Sequence, residues 1–124
     1  MQTVQLRIPN SLLLVTTAAD AELPESIGPG ELVAATATCL AVGTMAEDDG
    51  EVSVTVADGP ADGHDALSVV GEWVMDVPAG QIRIETVLGA QVLAWPAPGP
   101  RSLIRVWVSD EAEPDRVLIE VLPA

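Results

Sequence analysis

Apolar and polar residues alternate along most of the chain with a period of two. In residues 51–57, Val52, Val54 and Val56 share one face while Glu51, Ser53 and Thr55 share the other, the pattern of a half-buried antiparallel strand. Upstream, residues 33–45 alternate Ala35, Ala37, Cys39, Ala41 and Gly43 with Thr36, Thr38, Leu40 and Val42. The segment 46–50, which ends in Asp-Gly, reads as a hairpin loop joining these two runs, with its register left open. A second hairpin is expected around residues 77–80. Leu67, Val69, Gly71, Trp73 and Met75 share a face before it, and the alternation resumes at Ile82 and Ile84. A four-residue loop there sets Met75 opposite Ile82, Trp73 opposite Ile84 and Glu72 opposite Glu85, leaving Arg83 to relieve the like charges diagonally.

The C-terminal hairpin is more constrained, because pairing Ser109 with Arg116 around residues 110–115 aligns both faces at once. One face sets Val108 against Val117, Val106 against Ile119 and Ile104 against Val121. The other sets Trp107 against Leu118, Arg105 against Glu120 and Leu103 against Leu122. Two apolar faces on one hairpin require that the second be covered, by a loop, by the N-terminal segment or by a second copy of the chain. Trp107, Leu103, Arg105, Leu118, Glu120 and Leu122 are therefore the candidate partner-binding residues, and a homodimer is one form the partnership takes.

Shorter runs at 4–8, 11–17 and 91–95 bring the expectation to about eight or nine strands. Residues 20–26 are the only helix candidate, and Pro24 with Ile27-Gly-Pro-Gly30 limits them to about a turn. With no internal repeat and no linker, the pattern predicts an all-β fold: a single antiparallel β-sandwich domain over 1–124, with an up-and-down β-barrel as the alternative closure. The Pro96-Ala-Pro-Gly-Pro100 stretch reads as a rigid surface crossing.

Composition narrows the function classes. Of 124 residues, 19 are Asp or Glu and 5 are basic, all of them Arg, for a formal net charge of −14. A polyanion such as nucleic acid, or an anionic membrane surface, is repelled by such a chain. At 48% hydrophobic residues the chain has material for a core, but with no Phe and no Tyr that core must be built from Val, Ala, Leu and Ile plus Trp73, Trp95 and Trp107. The longest early apolar run, residues 12–15, is too short for the core of a signal peptide, no stretch approaches a membrane span, and Cys39 has no second cysteine to pair with. The expectation is a cytoplasmic protein with no cofactor.

The carboxylates fall mainly in connections: residues 47–51, 58–65 and 110–115. This places the negative potential at the ends of the sandwich and favours fast, salt-sensitive association with a basic protein. Asp58, Asp62, His64 and Asp65 offer oxygen and imidazole ligands of a kind that suits calcium, without the spacing of an EF-hand loop. Turn formation by the two Asp-Gly steps explains the same residues. Cys39 sits in an apolar run with no basic neighbour and reads as a small buried hydrophobe rather than half of a Cys–His pair with His64. No nucleophile elbow, phosphate loop or dinucleotide fingerprint is present.

One stretch carries a family resemblance. Across residues 31–85, a strand of small apolar residues, a hairpin and a second pair of strands leading into Val74-Met-Asp-Val-Pro-Ala-Gly-Gln-Ile-Arg-Ile84 resemble the order found in the competence-J family, small acidic inhibitors of a secreted DNA-entry nuclease. The chain lacks the aromatic residues that members carry in these strands, and no inhibitory residue transfers to a matching position. The resemblance implies a non-enzymatic β-sandwich that neutralises a nuclease or toxin. A small-molecule or calcium-binding module is the alternative from a different class.

Overall fold

The computed structural model of the chain describes residues 1–59 and 66–124. Ten strands appear among them: β1 (Gln2–Leu6), β2 (Leu12–Thr16), β3 (Val33–Ala35), β4 (Cys39–Gly43), β5 (Val52–Asp58), β6 (Ser68–Asp76), β7 (Gln81–Thr86), β8 (Gln91–Pro96), β9 (Arg101–Val108) and β10 (Arg116–Pro123). They form two five-stranded sheets, ordered β1-β5-β10-β9-β6 and β3-β4-β2-β7-β8. The architecture is a β-sandwich, and neither sheet closes into a barrel. No described helix is long and apolar enough to cross a membrane.

The inward positions are those that the alternation assigns. Val52, Val54 and Val56 of β5, Ile104, Val106 and Val108 of β9, and Val117, Ile119 and Val121 of β10 are buried against Leu13, Val15, Leu40, Val42, Ile82 and Ile84 of the facing sheet. β-Branched side chains suit this layer because their fixed χ1 rotamers pack closely on a pleated surface. Trp73 and Trp95 fill the thinner margins of the same core. The β9–β10 hairpin has the expected register throughout, from Val117 opposite Val108 to Leu122 opposite Leu103.

Three expectations about strand partners are overturned. The run 33–45 is two strands, because the Thr36 hydroxyl accepts the backbone N–H groups of Thr38 (3.3 Å) and Cys39 (3.0 Å) and turns the chain there. β4 then pairs with β3 and β2, while β5 pairs with β1 and, in parallel, with β10, so residues 46–50 cross between sheets and form no hairpin. The turn 77–80 likewise carries the chain from one sheet to the other. Trp73 lies opposite Ile104 and Met75 opposite Ser102, whereas Ile82 and Ile84 pair with Trp95 and Leu93. Glu72 consequently faces Arg105, not Glu85.

Residues 20–26 form no helix. With their neighbours they make a strap over the outer face of the second sheet, where Ala21, Ile27 and Val87 pack on Leu14, Cys39 and Ala41. Two bonds hold it: the Glu22 N–H donates to Thr38 Oγ1 (3.0 Å), and Thr36 Oγ1 donates to the Glu22 carbonyl (2.5 Å).

Candidate functional site

Two of the acidic connections meet. β5, β10 and β6 all start at the end of the sandwich where β9 stops, so the 44–51 and 109–115 segments are neighbours there. Backbone bonds join them: Met45 N–H to the Pro114 carbonyl (3.0 Å) and Ser53 N–H to the Asp115 carbonyl (2.8 Å). Glu47, Asp48, Asp49 and Glu51 of one segment and Asp110, Glu111, Glu113 and Asp115 of the other are all exposed on this one end. The cations beside them are Arg7, whose guanidinium donates to the Glu47 carbonyl (2.6 Å), and Arg116. The sequence reading places the charge at the ends of the sandwich; the parallel β5–β10 pairing brings two of the three acidic connections to the same end, while Asp58, which opens the third, lies at the other.

The 110–115 loop is built to hold its shape. Asp110 Oδ1 accepts the N–H groups of Ala112 and Glu113, both at 2.8 Å, and the Glu113 bond, followed by that of Ala112, holds the Asp110 carboxyl below the usual carboxylate range. Ser109 Oγ donates to Asp115 Oδ1 (2.7 Å) and accepts from the N–H groups of Asp115 and Arg116. Asp110 and Asp115 thus shape the loop, while Glu111 and Glu113 are free to meet a partner.

The six partner-binding candidates lie together on the outer face of the first sheet, running back from this acidic end. Leu103, Arg105, Trp107 and Leu122 are half-buried, Leu118 is nearly covered, and Glu120 is fully buried. The Trp107 indole N–H donates to Glu120 Oε1. Arg105 Nη1 stands 3.6 Å from the same carboxylate, and its Nε donates to Glu72 Oε1 at 2.8 Å. Glu72, Arg105 and Glu120 therefore form a rung across β6, β9 and β10, and the hydrogen bond that Arg105 donates to Glu72 is the main cause that raises the Arg105 pKa further. Gly59 lets the end of β5 approach this rung: a Cβ there would lie 2.8 Å from Glu120 Oε2 and 2.9 Å from Leu122 Cγ.

Of the metal-ligand candidates, Asp58 lies at the opposite end, where its Oδ1 accepts the Trp95 indole N–H at 2.9 Å. Asp62, His64 and Asp65 lie outside the described residues. Among the described residues no group of three or more His, Cys, Asp or Glu side chains is arranged to hold a metal ion.

The sequence reading missed Glu72 as the second carboxylate on Arg105. The sign lay in the alternation, since Glu72 and Arg105 occupy the outward phase of their strands, but phase alone names no partner. It also missed a groove between the edge strands β3 and β6, lined by Leu32, Val33, Val69 and Trp73 together with Glu31 and Glu111.

Comparison with known proteins adds one observation. No family model matches the chain, and no curated protein sequence matches it. The crystal structure of ComJ from Bacillus subtilis, described as an inhibitor of the DNA-degrading activity of NucA, aligns with 100% of this chain and 96% of its own. The TM-score is 0.69 at 12% identity. The chain shares the fold of ComJ. The resemblance noted over residues 31–85 thus extends, as a fold, over the whole chain. At this identity ComJ transfers architecture and no residue roles.

Proposed function

We propose that the chain is a non-enzymatic inhibitor that binds a nuclease of basic surface through its acidic end. The observation that carries this reading is the meeting of residues 47–51 and 110–115: four exposed carboxylates from each segment on one end of a sandwich with the fold of a nuclease inhibitor. An enzyme that cleaves a polyanion must offer a cationic surface to phosphates. A rigid cluster of carboxylates competes for that surface and is drawn to it at long range. Trp107, next to the same end, adds the aromatic surface that protein interfaces favour. A second copy of the chain is a poorer occupant, because its own acidic end carries the same charge.

The test is DNA degradation by NucA, and by nuclease fractions from the source cells, with and without the purified protein. The expected result is stoichiometric protection of the DNA at low ionic strength that weakens as salt rises. Unprotected DNA with every nuclease tried, at protein in excess over enzyme, overturns the reading.

A further inference from the structure

The groove between β3 and β6 has a chemistry of its own. β6 is an edge strand that pairs only with β9, and β3 is the facing edge of the other sheet, so the sandwich is open along this side. The open groove has a volume of about 520 Å³. Leu32, Val33, the bulged Val69–Val70 stretch and Trp73 line it, together with Glu31 and Glu111. No cation lines it, and neither carboxylate is in an ion pair among the described residues. β6 also holds a bulge between Val69 and Gly71, and at Gly71 a Cβ would lie 2.6 Å from Trp73 Cη2, so the glycine lets the indole lie flat against its own strand.

The geometry points to this groove as a docking slot for one arginine side chain on an extended segment of a partner protein. An arginine has an apolar stem for the valine and leucine walls and a planar cation for the indole face. Its cationic head complements the charge of the two carboxylates. Ahead of Asp76, whose N–H donates to the Ala37 carbonyl, the edge of β6 offers backbone groups to the segment that carries it. Other occupants fit less well. A nucleic acid meets two carboxylates, a bare divalent ion finds only two carboxylate side chains where it needs six or more oxygen ligands, and a second copy of this chain brings five arginines with 19 carboxylates. The slot does not depend on the nuclease reading, since it would take an arginine from any partner.

The test is a peptide titration of the full chain followed by the Trp73 indole N–H resonance, which Trp73→Phe identifies. The probe is a capped six-residue Thr/Val peptide with one central Arg; the controls replace Arg by Lys or by Gln. The slot predicts a saturable shift of the Trp73 signal with a Kd at or below about 1 mM for the Arg peptide. Lys binds more weakly and Gln not measurably. Glu31→Gln and Glu111→Gln, both at exposed positions, each weaken the Arg peptide by about 5-fold. Equal response to the Arg and Gln peptides, shifts confined to residues 47–51, or no shift at all overturns the proposal. Peptide binding without nuclease inhibition leaves the slot standing and removes the nuclease reading; inhibition without peptide binding does the reverse.

Discussion

Cys39 is fully buried beneath the 20–26 strap, and burial, followed by the nearby Glu85 carboxylate, pushes its thiol up to about 11 from an ordinary 9.0. The chain has no Lys and no Tyr, so this thiol is the side chain that titrates between pH 9 and 11. Because the folded pKa is the higher one, the unfolded state loses its proton first. The associated stability is whole below pH 9 and is lost as pH rises toward 11. Urea unfolding at a series of pH values should show a fall of about 2 kcal/mol across that window, absent in Cys39→Val. Native Cys39 should resist thiol reagents at pH 8. Glu120 makes a second residue-scale prediction. Glu120→Ala leaves the half-buried Trp107 and Arg105 without this acceptor and should cost about 1–3 kcal/mol, while Glu120→Gln, which keeps an oxygen for the indole, should cost less.

At the scale of elements, the legible part of the fold is which residues face inward. Val52, Val54, Val56, Ile104, Val106 and Ile119 all read correctly because a period of two reports burial directly. Partner choice is legible only where a hairpin has two informative faces. β9 and β10 align an apolar set on one side and a charge pair between apolar pairs on the other, and a slip of one residue breaks both. β6 and β7 present one apolar face each, and such faces agree equally well as neighbours in a sheet or as opposed layers across a core. The turn at 77–80 made them look like a hairpin; they are opposed layers. The candidate site was legible in kind, as acidic connections, but the adjacency of its two segments was not. That adjacency comes from the parallel β5–β10 pairing, which joins residues some 60 apart in sequence and has no local signature. The bulged edge strand gives the prediction at this scale. Gly71→Ala forces the Trp73 indole off its own strand and should cost about 1–3 kcal/mol by urea unfolding. In a Trp73→Val background the same change should cost much less.

For the whole molecule, −14 charges on a sandwich of this size would repel most partners, yet their placement matters more than their number. The exposed carboxylates of 47–51 and 110–115 share one end, while Asp58 is held by Trp95 at the other and Glu120 is buried under the outer face. Eight exposed carboxylates on one end favour that end in the approach to a cationic surface. Among the described residues, the side chains of Glu47, Asp48, Asp49, Glu51, Glu111 and Glu113 accept no hydrogen bond, so converting them to Gln and Asn should leave the melting temperature nearly unchanged. The decisive measurement is the association rate of this neutralised variant, beside the parent protein, with the nuclease of the DNA-protection assay, at low ionic strength. The account predicts a rate at least about 10-fold slower, with protection of DNA lost in proportion. An unchanged rate and unchanged protection by a folded variant would contradict it.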